Sequence, residues 1–285
     1  MTSRDLWTEL THPCAPDDEL WGLFHENSKV GRHYLGLPDA AVVARMRELW
    51  ESLSYEQYQA VPLPSDRTPL NASLGPVMRG RTSVRAFRPG SVALAELSSL
   101  LYHACGVTRH AADTGQVRSW RAAPSPGGLY PLELYIHTTQ VNGLRAGLYH
   151  YHPVRDELRH LREGDLAREI ASCFVQGAIA YDAAMLVFLT AWFERVTFKY
   201  GDRGYRFALL EAGHVAQNLN LAAGALGLGA LNLGGYFDHE LDDFLGLDGV
   251  NASTVYALAL GWPDVGWPDV DPGIAGERVE EPYGD

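Results

Sequence analysis

Three short stretches carry side chains of the kind that bind anions or move protons. The first is Arg79-Gly80-Arg81-Thr82-Ser83-Val84-Arg85-Ala86-Phe87, with arginines and hydroxyls in close succession. Guanidinium groups fork onto phosphate oxygens and Ser83 adds a neutral donor, so the stretch can hold an anion. A solvated basic turn is the alternative. The second, Phe198-Lys199-Tyr200-Gly201-Asp202-Arg203-Gly204-Tyr205-Arg206, puts an amine beside a phenol just ahead of a long helical pattern. A helix N-terminus favours anions. Cations clustered there either hold something acidic or crowd Lys199 toward its neutral form, in which it accepts a proton. A charge network with Asp202 and Glu211 is the alternative. The third, Arg121-Ala122-Ala123-Pro124-Ser125-Pro126-Gly127-Gly128-Leu129-Tyr130-Pro131, combines glycines that let a backbone approach a flat ligand with prolines that fix the loop's shape. Taken alone it also reads as an ordinary surface loop.

Other constellations are weaker. His214, Gln217 and Asn218 fall at i, i+3 and i+4 of the long helix and share a polar face. That face is expected to meet something polar inside the protein: core partners, a cofactor or a second subunit. Gly227-Leu228-Gly229, followed by Gly234-Gly235, has the wrong spacing for a dinucleotide fingerprint. It reads as a helix C-cap and a tight turn into a strand. The sequence contains no GxSxG elbow, phosphate-binding GxxxxGK[ST] loop or HExxH. His150 and His152 share a strand face but have no third ligand in view, so no metal site is expected.

The elements that must position these groups can be read from periodicity. Asp39 can cap a helix with Val42, Val43, Met46, Leu49, Trp50 and Leu53 on one face. Residues 1–75 are therefore expected to form an N-terminal helical extension that docks a partner or embraces a second subunit, ending in a Pro/Ser-rich ordered linker from Val61 to Pro76. Leu97, Leu100, Leu101 and Ala104 mark the buried stripe of a helix over 94–104. Residues 133–139 and 147–151 flank the turn signal Val141-Asn142-Gly143 and predict a hairpin. The apolar run 184–191 suits a fully buried strand, a long helix should cover 203–226, and short strands should precede Gly234 and span 253–260. This order gives an α+β fold over 76–265, with an acidic Pro/Gly-rich tail at 266–285.

Composition narrows the function further. The 285 residues are 46% hydrophobic and 20% charged, ordinary for a globular protein, with a net charge of −12. That acidity argues against nucleic acid or an anionic membrane as partner. It also means that a phosphate-bearing cofactor needs a local cluster of donors. No run reaches the ~18 apolar residues of a membrane span. Cys14, Cys105 and Cys173 are scattered and odd in number, which reads as reduced thiols in the cytoplasm.

Taken together, these stretches resemble the SagB/ThcOx-type dehydrogenases of the nitroreductase superfamily. Arg81 to Phe87 (RTSVRAF) is similar to that family's flavin-phosphate motif, and Pro124 to Pro131 (PSPGGLYP) to its PSAGALYP segment. GLYHY from Gly147, the run from Phe198 to Leu219, GLGAL from Gly227 and FHENSK from Phe24 also resemble members of this branch. The resemblance covers most of residues 76–262, and the run from Lys199 to Asn218 is its most specific part.

It implies a mainly antiparallel sheet flanked by helices and a homodimer with two FMN sites, each lined by both chains. Arg81, Thr82, Ser83 and Arg85 would hold the phosphate, ribityl and pyrimidine edge. Pro124, Ser125 and Gly127 would lie along the isoalloxazine, Gly227 and Gly229 near its other face, and Asn218 in contact with the cofactor. Lys199 and Tyr200 match the pair regarded as catalytic in azoline oxidases. Pro126 and Gly128 depart from the family's usual alanines. The C-terminal basic residues of nitroreductases are missing, with Arg79, Arg203 or Arg206 as candidates to replace them.

The function implied is oxidation of thiazoline or oxazoline rings in a peptide or carrier-bound substrate, with dioxygen as acceptor and a cyclodehydratase as candidate partner. The alternatives are another flavin oxidation, NAD(P)H-driven nitro or quinone reduction, or a non-catalytic docking subunit of a heterocyclase complex.

Overall fold

The computed structural model describes residues 20–32 and 36–264; Cys14 and the tail at 266–285 fall outside the described residues. In chain order, helices α1 (Leu20–Asn27) and α2 (Asp39–Glu48) lead to strand β1 (Gln59–Pro62), helix α3 (Leu74–Gly80), the short strand β2 (Phe87–Arg88) and helix α4 (Leu94–Cys105). Strands β3 (Leu132–Thr138), β4 (Gly147–His152), β5 (Glu157–Glu163) and β6 (Met185–Trp192) follow. Helices α5 (Glu194–Tyr200) and α6 (Arg203–Ala225), strand β7 (Gly229–Leu233), helix α7 (Asp238–Leu245) and strand β8 (Ala252–Pro263) complete the frame.

The main sheet runs β1-β5-β4-β3-β6-β8-β7, with β2 added along β8. Every neighbouring pair in it is antiparallel. The expected α+β architecture, with a central antiparallel sheet flanked by helices, is therefore the observed one. Alternation along β6 explains why its sequence is apolar throughout. Val187 and Leu189 join the core beneath α4 and α6, whereas Leu186 and Phe188 join a second core with Ile170, Phe174 and Leu241. A central strand covered on both faces has no polar side. Helix α6, whose 23 residues extend roughly 34 Å, packs against β7, β8 and β3. No described helix is long and apolar enough to cross a membrane.

The N-terminal region departs from its expected helical form. α2 stops at Glu48, and Trp50, assigned to the buried face, is 59% exposed. Asp39 does not cap the helix; Pro38 occupies that place, and Asp39 begins the first turn. Val61 and Pro62, read as linker, lie in the sheet's edge strand β1, paired with Leu158 and Glu157. The stretch 108–131 is also more ordered than its composition suggests, since Val107–Arg109 pairs with Trp120–Arg121.

Candidate active site at the β3 and β6 ends

Sheet topology decides which sequence stretches meet. β3 and β6 are antiparallel neighbours, so the start of one lies beside the end of the other: Leu132 pairs with Ala191, and Trp192 N–H donates to the Pro131 carbonyl at 2.8 Å. The loop entering β3 and helix α5 leaving β6 are thereby held side by side. At the crown of that loop Gly127 adopts φ +63°, a conformation that favours glycine. A Cβ there would lie 2.8 Å from Tyr200 Oη and 2.9 Å from Lys199 Nζ. The amine and phenol therefore converge on a stretch of bare backbone, with Lys199 Nζ 5.2 Å from the centre of the Tyr200 ring. The structure thus brings together Lys199, Tyr200 and Gly127, which come from separate stretches of the sequence.

Behind the crown, Ser125 works as a clasp. Its hydroxyl oxygen accepts the Tyr130 N–H at 2.8 Å, which ties the two ends of the turn together. The Ser125 side chain is turned onto its own loop, and Pro124 and Gly127 are exposed. Burial raises the Glu211 carboxyl to about 7, against the opposing pull of Ser125 and Arg121.

A buried ionic network supports both walls. Glu133 on β3 accepts from Arg195 Nη1 on α5 at 2.6 Å, from the Leu53 N–H at 2.9 Å and from the Ser52 hydroxyl at 2.9 Å, and pairs with His150 Nε2 at 2.7 Å. Burial opposes its ionisation, yet Arg195 and then His150 hold the carboxyl well below the usual carboxylate range. Arg195 and Lys199 are i and i+4 on α5, so the Glu133 anchor sets the helix that presents the amine. His150, considered above as a metal ligand, is a partner of this carboxylate, and no metal-binding cluster occurs among the described residues. Arg118 adds donors to the carbonyls of Leu129, Met46 and Leu49, and Arg121 donates to that of Glu51. The 46–53 segment is thus a brace for the loop and for α5. Sequence reasoning missed Glu133, Arg195 and Arg118; a carboxylate between Leu132 and Leu134 in a mostly apolar strand was the available sign.

The arginine stretch lies elsewhere. Ser83 bridges Ala230 and Val84 N–H donates to the Ala230 carbonyl at 3.0 Å, so residues 81–85 run along β7 with Arg81 and Arg85 exposed. Thr82, between them, is half-buried. Ala230 pairs with Leu260, which pairs with Met185 at the start of β6. Lys199 follows the other end of β6, about 23 Å away along the strand. The two halves of the predicted flavin site therefore occupy opposite ends of one subunit.

Gly227, with φ +75°, is exposed and caps α6 at the arginine end as expected. Gly229 differs: it is buried, and a Cβ there would lie 2.8 Å from Val84 Cγ1. Its missing side chain admits Val84. Asn218 donates to the Ala104 carbonyl at 3.2 Å and ties α6 to α4. His214 and Gln217 are exposed, which leaves out the core partners among the alternatives for that face. Arg203 and Arg206, candidates for phosphate binding, donate to the carbonyls of Ser28 and His25 at the end of α1. Arg79 is exposed. Cys105 and Cys173 are free, buried thiols, and burial pushes Cys105 up to about 12.

An open, glycine-crowned wall with a paired amine and phenol, together with a separate exposed strip of arginines, suits a flat, phosphate-bearing cofactor. Residues 78–262 match the Nitroreductase family, and the chain belongs to it. Members of this family bind FMN. A nitroreductase-family protein of Methanocaldococcus jannaschii is 36% identical over 169 residues, covering 59% of this chain and 82% of that protein. The microcin B17-processing protein McbC of Escherichia coli is 34% identical over 152 residues, covering 48% and 51%. The trifolitoxin-processing protein TfxB of Rhizobium leguminosarum is 32% identical over 113 residues, covering 38% and 30%. Among solved structures, a nitroreductase-family protein of Anabaena variabilis superposes with a TM-score of 0.69 at 27% identity, over 90% of this chain and 49% of that one.

Proposed function

We propose that this protein is an FMN-dependent dehydrogenase of peptide natural-product biosynthesis, working in the cytoplasm and oxidising thiazoline or oxazoline rings to azoles. The observation that carries the reading is the convergence of Lys199 and Tyr200 on the Gly127 backbone. Similarity to two peptide-processing proteins, McbC and TfxB, supports the substrate class.

FMN, when bound, supplies the two-electron acceptor for the ring's hydride, with dioxygen as the proposed final acceptor. Arg81, Thr82, Ser83 and Arg85 would hold its phosphate, ribityl and pyrimidine edge, with Gly227 and Asn218 at the same end of the subunit. The Pro124–Gly127 backbone would lie along the ring. Lys199 Nζ takes the proton from the substrate's α-carbon, which is acidified by the adjacent carbonyl and C=N groups. Tyr200 Oη orients the ring beside it.

Opposite placement of the two residue sets favours a homodimer in which each site takes arginines from one subunit and Lys199 from the other. The exposed face of α6, with Leu209, Leu210 and Gly213, offers a surface for that pairing. A docking role for residues 1–75, with a cyclodehydratase as partner, would fall to α1, where Leu20, Trp21 and Leu23 are exposed. The brace formed by residues 46–53 belongs to the catalytic scaffold.

The test is the visible absorption spectrum of the purified protein, mass analysis of the chromophore that heat releases, and incubation with azoline peptides in air. Release of FMN and peptide products lighter by two hydrogens are expected. Rapid bleaching by NAD(P)H with no peptide oxidation would favour the nitro or quinone reductase. A colourless protein that takes up no added FMN would favour a non-catalytic docking subunit.

A further inference from the structure

Tyr130 closes the turn whose crown is Gly127, and its backbone sits at φ +49°, a left-handed conformation that a residue with a Cβ rarely adopts. Glycine would take that conformation freely, so a tyrosine held there costs stability unless its side chain supplies something the turn needs. The residue is 6% exposed. Its hydroxyl accepts the N–H of Arg121 at 2.9 Å, and the Arg121 guanidinium lies over its ring, 4.6 Å from the centre. Arg121 is itself buried and donates from Nη2 to the Glu51 carbonyl at 2.7 Å. Ring and hydroxyl therefore join the turn to the 46–53 brace.

The backbone of Tyr130 meets both walls of the site. Its N–H donates to Ser125 Oγ at 2.8 Å, across the turn that carries Gly127. Its carbonyl accepts from Arg195 Nη1 at 3.5 Å, and the next carbonyl, that of Pro131, accepts the Trp192 N–H at 2.8 Å. Arg195 lies one turn before Lys199 on α5. The strained residue thus stands between the glycine crown and the helix that presents the amine, bonded to each.

We infer that Tyr130 is a positioning residue of the proposed flavin site: its backbone sets Gly127 in register with Lys199 and Tyr200, and its hydroxyl fixes that setting through Arg121. The inference rests on the flavin reading. Tyr130 acts through the turn and through α5 and takes no part in the reaction itself.

The experiment compares Tyr130→Phe with the parent in FMN affinity, by titrating FMN fluorescence against the flavin-stripped protein, with thermal unfolding as control. Phenylalanine keeps the ring and leaves the buried Arg121 N–H without its acceptor, so FMN should bind about 10-fold more weakly. With flavin saturating, an azoline peptide should bleach it about 10-fold more slowly at an unchanged KM, because the amine is misplaced and the peptide's own contacts are not. In a Lys199→Ala background the same substitution should slow bleaching no further. A Tyr130→Phe protein that unfolds earlier yet binds FMN and bleaches as the parent does would overturn the inference. So would one that slows bleaching equally with and without Lys199. If Tyr130→Phe fails to fold, Ser125→Ala, which removes the acceptor of the Tyr130 N–H, decides: weakened FMN binding supports the inference and parental affinity overturns it. A parent protein that takes up no FMN would overturn the flavin reading and this inference together. One that binds FMN but oxidises no azoline would overturn the azoline reading alone, and the FMN titration still decides.

Discussion

Replacing Lys199 with alanine is expected to slow azoline oxidation by about 10²–10⁴-fold, the usual contribution of a positioned base, while leaving FMN bound. The amine is presented on α5, whose orientation is fixed through Arg195 and Glu133, and the stretch proposed to hold the phosphate lies at the other end of the sheet. Removal of the amine should therefore spare cofactor affinity. The direct reading is the rate at which an azoline peptide bleaches the flavin without oxygen, set beside FMN content. Gly127→Ala makes a useful companion. It forces φ +63° on an alanine and pushes a methyl group against Lys199 Nζ and Tyr200 Oη. A misplacement of that kind should cost roughly 10–100-fold. A Lys199→Ala protein that bleaches at the parent rate would remove Lys199 from the reaction.

Glu133→Ala is expected to destabilise the fold by about 3–5 kcal/mol, because it leaves buried Arg195 without its counter-charge. Ser52, Leu53 and His150 lose their acceptor at the same time. Against a total stability of about 5–15 kcal/mol this is a large fraction, and the melting temperature should fall on the order of 10 °C. The pH dependence has a definite sign. The carboxyl is held below its unfolded value of 4.5, so its contribution is complete above that value and is lost as pH falls through the folded one. Acid unfolding of the parent should therefore be steeper than that of Glu133→Ala. A melting temperature within a degree or two of the parent's would show that the network contributes little.

Much of the frame was legible because its signals are local. The Val141-Asn142-Gly143 turn announces the β3–β4 hairpin, the unbroken apolar run announces β6, and the pattern after Arg203 announces α6 almost to the residue. The Lys199–Tyr200 pair was visible in residue type, but its meeting with Gly127 is a product of β3–β6 pairing, which no local pattern encodes. β1 was hidden for the same reason: Gln59 and Ala60 are exposed, and the strand exists because β5 offers an edge. The packing role of Gly229 was hidden because a glycine that admits Val84 looks, in sequence, like one that admits a ligand. The exposure of His214 and Gln217 was hidden because a polar face on a long helix is equally consistent with core partners and with a surface that meets solvent or a second subunit. The Glu133 network joins four distant stretches, and only folding brings them together.

The placement of Arg81 and Lys199 at opposite ends of each subunit has a consequence for mixed populations of chains. A Lys199→Ala chain and an Arg81→Ala, Arg85→Ala chain should each be inactive alone. Paired in the proposed homodimer, they would form one site with Lys199 and both arginines intact and one that lacks all three. Random reassociation of equal amounts makes about half of the dimers mixed, each with one working site of two, so about a quarter of parental activity should return. Two silent genes would complement each other inside a single cell. If mixing after subunit exchange restores nothing, each subunit carries its own site whole.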